Sequence, residues 1–281
     1  MTRADVVRQA ATVAGAVGQM VLPSLILPRL RGQLSVPDVA QPAPYTFAVW
    51  LPVYATTVAY AGYQTRPANQ ELEVLREVGV PLAASMLSTA VWAPLVREQR
   101  YGAAQLALIG TAVFAERARG RLAASAIAGL DDTTRRRLAV PFGLQAGWGT
   151  AAAAVNLAAI AVDRGPARIR RAPTAAGVAT VLAVGAVAGA RIRAFPPGRS
   201  AAYAATVLWA LAGVVVGQAR TRPPVAVAAA LAALPVAIAA RPLARSSRPN
   251  IPWRASPAAR RRPRSSALGR QRTVTAGANL S

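Results

Sequence analysis

The 281-residue chain contains no cysteine, no histidine and no lysine, and only ten acidic residues. The first absence removes disulfides and thiol nucleophiles, and the second removes any imidazole base. Haem or zinc sites built on imidazole or thiolate go with them. The acids are Asp5, Asp38, Glu71, Glu73, Glu77, Glu98, Glu116, Asp131, Asp132 and Asp163, and each reads as lying in a connection or at the edge of an apolar block. Ion-coupled transporters and proton pumps place ionisable groups inside the membrane, and none is expected there in this chain. Asp131 and Asp132 form the one adjacent carboxylate pair. Followed by Thr133, Thr134 and three arginines, the pair reads as a loop or helix start instead of a cation site. Neither a catalytic nor a metal site is expected.

Long apolar runs are what the chain has in quantity. Hydrophobic residues make up 54% and charged residues 15%, with a mean hydropathy of +0.32. The apolar residues gather into eight blocks, at about residues 10–28, 45–63, 78–96, 101–116, 140–162, 173–190, 201–217 and 223–240. Each approaches the roughly 20 residues that cross about 30 Å of hydrocarbon. The fourth is short and the eighth contains Pro235, so seven spans is the competing count. The first block continues too far, through Gln19 and Pro23, to resemble a cleaved signal peptide. These features predict an all-α, polytopic transmembrane helix bundle of about eight spans.

All 33 basic residues are arginine, a bias typical of GC-rich bacterial coding. With the N-terminus inside, 23 of them fall on the cytoplasmic side, as the positive-inside rule requires. Both termini are then cytoplasmic, in a bacterial plasma membrane. The segment 241–281 is rich in Arg, Pro and Ser and reads as a disordered, solvated tail without specific nucleic-acid binding.

Within the blocks, Gly143 and Gly147, Gly185 and Gly189, and Gly213 and Gly217 are each four apart, which puts bare backbone on one helix face for close packing. Four tryptophans, Trp50, Trp92, Trp148 and Trp209, lie inside blocks instead of at the interfaces where membrane proteins keep them. Asn156 follows Trp148 by eight residues and shares its helix face. Gln145 and Thr150 lie on the same span as Asn156, and Thr56, Thr57, Ser85, Ser88 and Thr89 line the second and third. Two readings stay open for all of them: hydrogen bonds between helices, or the few polar contacts of an aromatic pocket.

Three segments carry a resemblance. Pro44 to Tyr54 has a Pro, then Phe-x-x-Trp, then Tyr four residues later; Trp92-Ala-Pro-Leu follows in the third block; and Trp148, Ala152 and Asn156 repeat a Trp-x-x-x-Ala-x-x-x-Asn spacing. Together they resemble the tryptophan-rich sensory protein family, also called the TspO/MBR or translocator protein family, and its longer relatives with added C-terminal helices. The resemblance implies a five-helix membrane unit over residues 1–163, three further transmembrane helices over 164–240, and the tail beyond. It also implies a pocket for porphyrins or other flat hydrophobic molecules, covered by the first connection, often in a homodimer. By position the pocket would draw on Phe47, Trp50, Tyr54, Trp92, Trp148 and Asn156, with Trp209 left as packing. No cofactor is required; a tetrapyrrole is the implied ligand, with Arg29, Arg31, Arg97 or Arg100 available to its propionates. The expected function is sensing or transport, without enzymatic activity. The partners are then the bilayer and a hydrophobic small molecule. The alternative is a small-solute or lipid transporter lacking ion-coupling residues.

Overall fold

The computed structural model describes residues 1–30, 39–124, 132–196 and 199–246. Asp131, Arg31 and most of the Arg-rich tail lie outside the described residues. Nine helices appear among the described residues, and no strand: α1 (Arg3–Ile26), α2 (Trp50–Thr65), α3 (Glu73–Arg97), α4 (Tyr101–Ala124), α5 (Asp132–Arg164), the single turn α6 (Ala167–Arg170), α7 (Pro173–Arg193), α8 (Ala201–Gln218) and α9 (Pro223–Ser246). The eight long helices coincide with the eight apolar blocks. Six of them, α1, α3, α5, α7, α8 and α9, are long and apolar enough to cross a membrane by length and composition. The other two fall short for visible reasons. α2 has 16 residues, preceded by a 3-10 turn at Pro44–Val49, and the second half of α4 carries Glu116, Arg117, Arg119 and Arg121.

Helix ends follow local chemistry. At the start of α1, Thr2 Oγ1 accepts from the Asp5 amide at 3.2 Å while Asp5 Oδ2 accepts from the Thr2 amide at 3.0 Å, a reciprocal cap. α7 opens on Pro173, whose missing N–H costs nothing in a first turn. Between α3 and α4, Gln99 takes a left-handed φ of 58° and the Arg100 amide reaches back to Leu95 O at 2.9 Å, which turns the chain sharply and lays α4 along α3.

The helices close two circuits. α1 packs on α2 and α3, α3 on α4, α4 on α5, and α2 returns to α5. In the second circuit α5 packs on α7 and α8, and α9 packs on both of these. α5 is the shared wall, and its glycines let both sides approach. A Cβ at Gly143 would stand 2.8 Å from the Tyr203 amide of α8, and one at Gly149 would stand 3.0 Å from the Ala112 amide of α4.

The interior of the first circuit is stitched by hydrogen bonds. Gln145 Nε2 donates to Gln19 Oε1 at 3.0 Å and to Thr89 Oγ1 at 2.9 Å, and Gln19 Nε2 donates to Thr57 Oγ1 at 2.8 Å. Thr89 and Thr111 share a 3.0 Å hydroxyl contact, and Ser85 Oγ donates to Thr111 O at 2.7 Å. This chain joins α1, α2, α3, α4 and α5, so for Gln145, Thr57, Ser85 and Thr89 the interhelical reading holds.

The acids correct one expectation. α1 begins at Arg3 and α4 continues to Ala124, so Asp5 and Glu116, expected in a connection and at a block's edge, sit within helices and are buried. Each is matched by arginine. Arg76 makes a two-pronged contact with Asp5 at 2.8 and 2.9 Å, and Arg8 Nη1 donates to Gln64 Oε1 at 2.7 Å. Arg119 Nη1 donates to Glu116 at 2.5 Å and Nη2 to Ser200 Oγ at 2.9 Å, with its guanidinium between the rings of Phe195 and Tyr203 at 4.4 and 4.3 Å. Both clusters lie toward the end of the bundle that carries the N-terminus. There the terminal ammonium pairs with Glu71 and holds its carboxyl below the usual carboxylate range.

Candidate ligand-binding site

The first connection re-enters the bundle at Val39 and Ala40, both fully buried, and runs through the 3-10 turn Pro44–Val49 into α2. Its residues from Gln41 to Thr46 are tied to α8. Gln218 Nε2 donates to Gln41 O at 3.0 Å, the Ala43 amide to Gly213 O at 2.9 Å, and Trp209 Nε1 to Thr46 O at 2.8 Å. The Trp209 ring also stands edge-on to Tyr45, 5.7 Å between centroids. Gly217 and Gly213 make this seating possible: a Cβ at Gly217 would come within 2.7 Å of Gln41 O and the Ala43 amide, and one at Gly213 would run into the Thr46 side chain. All three glycine pairs are thereby used within the chain. Gly143 and Gly147 meet α8, Gly185 and Gly189 meet α9, and Gly213 and Gly217 seat a connection instead of a helix.

A cavity lies between this connection and three helices. Gln41, Pro42 and Phe47 form one side; Trp148, Ala151, Ala152, Val155 and Asn156 of α5 form another; Val181 and Val184 of α7 and Ala210, Leu211 and Val214 of α8 complete it. Its free space is small, about 60 Å³, and partly open. Across the 3-10 turn, Ala48, Val49, Pro52, Leu144, Ala205, Thr206 and Trp209 line a more open apolar groove of about 340 Å³. The turn is a partition between the two.

Of the six residues assigned by position, four form one aromatic group. Trp148, 5% exposed, meets Phe47 and Trp50 edge-on at centroid distances of 5.7 and 5.9 Å, and Trp50 stacks on Tyr54 at 5.3 Å. Such pairs contribute roughly 0.5–1.5 kcal/mol each beyond area burial. Asn156 lines the same cavity as Trp148, half-buried, with Nδ2 donating to Ala152 O at 2.9 Å. Trp92 is half-buried on α3, which packs against α1 and α4, and it is not on this cavity's wall. Arg29, Arg97 and Arg100 are exposed at the bundle end nearer the first connection, Arg100 lying 3.9 Å from Glu98.

Comparison with known families gives a direct result. The sequence model of the family described as TSPO-like protein matches residues 32–241. The chain belongs to this family. The match runs from the first connection into α9 and so takes in both helix circuits, including the helices beyond residue 163. Neither the curated proteins nor the solved structures give a match. Family membership together with the apolar helices makes this a multi-pass membrane protein.

Sequence reasoning did not reach the cavity walls supplied by α7 and α8, and it implied the first connection as a cover without naming Gln41 or Pro42. It also left Trp209 as packing, whereas the indole is a hydrogen-bond donor to the connection. One signal was available. Trp209, Gly213 and Gly217 are spaced four apart on one face of α8, a bulky donor followed by two bare-backbone positions.

Proposed function

We propose that this TSPO-like protein binds a flat hydrophobic molecule of the porphyrin class in the cavity walled by α5, α7, α8 and the first connection, for sensing or transport and without enzymatic chemistry. The observation that carries this reading is Trp148: a buried indole touching both Phe47 and Trp50, on a cavity wall that is apolar apart from Gln41 and Asn156. Conjugated rings stack on such a surface, and a few polar groups orient them. Binding then needs no metal ligation by the protein.

The cavity's free space of about 60 Å³ is too narrow for a tetrapyrrole as its walls stand, so binding requires Phe47 and the connection to move outward. Phe47 is suited to this, being 47% exposed. The same reading places the protein in a bacterial plasma membrane with both termini cytoplasmic, following its arginine distribution.

Adding protoporphyrin IX to the protein in lipid nanodiscs tests the proposal. Tryptophan emission should fall with saturation, and Trp148→Phe should weaken the apparent affinity about tenfold, the larger end of one lost aromatic contact. Trp92→Phe, away from the cavity, should leave the affinity within about twofold, well under the tenfold that 1.4 kcal/mol represents. No quenching, or equal loss in both variants, would remove the cavity as the binding site.

A further inference from the structure

The cavity's outer wall is not a helix but a strap of the first connection, and α8 holds it. Three ties are spread over that strap: the side-chain amide of Gln218 donates to Gln41 O, the Ala43 amide to Gly213 O, and the indole of Trp209 to Thr46 O. Pro44 and Tyr45 are exposed, while Ala40 at the strap's start and two of the tied residues, Ala43 and Thr46, are buried. Phe47, the next residue, projects the strap into the cavity wall, while Ala48 and Val49 face the open apolar groove beside Trp209. Lifting one short turn would therefore join groove and cavity, and the groove is lined by apolar side chains a bilayer can wet.

We infer that α8 is a latch: it holds the first connection over the cavity, and release of that hold admits a hydrophobic ligand from the bilayer side. The inference rests on the reading that the cavity takes a ligand. Trp209 acts in it as a positioning residue, through the strap. The cavity's narrow free space gives the latch its purpose, since nothing the size of a tetrapyrrole fits while Thr46 and Ala43 stay bound to α8. It also assigns a role to helices beyond the first circuit: α7 and α8 complete the cavity and α8 governs its opening.

The chain has no cysteine, so Ala40→Cys supplies a single thiol at the buried start of the strap. Maleimide labelling of this protein in nanodiscs, without ligand, reports strap release. Trp209→Phe keeps a ring beside Tyr45 and removes the N–H donor; labelling should quicken about fivefold, the effect of one neutral hydrogen bond. The association rate of protoporphyrin IX, followed by its absorbance, should rise by a similar factor. Gln218→Leu cuts the tie at the other end of the strap and should act in the same direction, which keeps the test decisive if Trp209→Phe folds poorly. Unchanged labelling in both variants would overturn the latch. Faster labelling with unchanged porphyrin association would overturn its role in entry. If no form of the protein binds porphyrin, the ligand reading fails and the entry role with it, while labelling alone still decides whether α8 holds the strap.

Discussion

The two faces of α5 are built on different physics. Toward α1–α4, Gln145 joins a buried chain of amides and hydroxyls that reaches every helix of the first circuit. Toward α7 and α8, the contacts are close backbone approaches at Gly143 and Gly147 and an apolar, aromatic cavity. In lipid there is little hydrophobic drive between helices, so directional bonds and tight van der Waals contact do the joining. The first face uses the former and is pinned; the second uses the latter and keeps free space beside a detachable strap. A membrane bundle can thus separate scaffold from binding surface across a single helix.

The largest expected effect lies where the two circuits meet. Arg119 of α4 spans from Glu116 to Ser200 at the head of α8 and fits between Phe195 and Tyr203. Arg119→Leu strands the Glu116 side chain, 9% exposed, without a counter-charge, and should cost about 3–5 kcal/mol of stability. Unfolding of the detergent-solubilised protein by heat or sodium dodecyl sulfate measures it. Adding Glu116→Leu should recover most of that loss, because replacing a buried pair with apolar groups is close to neutral. If the double variant stays as unstable as the single one, the junction is held by the cation's contacts with Ser200 and the two rings, and the ion pair is incidental.

A smaller effect separates the faces themselves. Gln145→Leu removes two interhelical bonds, and at about 0.6 kcal/mol each in a membrane the loss should be near 1 kcal/mol. Because Gln145 serves only the pinned face, protoporphyrin quenching should be unaltered. A variant that instead lost ligand binding at full stability would mean that the polar interior of the first circuit is itself the binding surface, and the contrast would reverse.

How much of this could be read from residues alone depends on range. Apolar run length located all eight long helices, and the family resemblance pointed to Phe47, Trp50, Tyr54 and Trp148, a group that the structure brings into ring contact. Run length failed at the ends of α1 and α4, where charged residues continue the helix because arginine and carboxylate neutralise one another in place. Hydropathy cannot register a charge whose partner is a turn away or on another helix. The double role of Gly213 was equally out of reach: a glycine pair announces close approach, but only the fold shows that the visitor is Ala43 and Thr46 of a connection. Asn156 was left between two readings because both need the same residue on the same face, and only its neighbours differ.

Those neighbours make Asn156 the finest test of the contrast. Its amide N–H goes to Ala152 O of its own helix, so Asn156→Leu breaks no tie between helices and should leave unfolding unchanged within about 0.5 kcal/mol, as for a side chain outside any interhelical network. On the cavity wall it is the polar residue contributed by α5. Losing one neutral hydrogen bond to a bound ring system should weaken protoporphyrin binding by about threefold to tenfold in the quenching titration. Gln145→Leu and Asn156→Leu are thus expected to show opposite pairs of results, stability without affinity and affinity without stability. If Asn156→Leu behaved like Gln145→Leu, both amides would be structural, and α5 would have one kind of face instead of two.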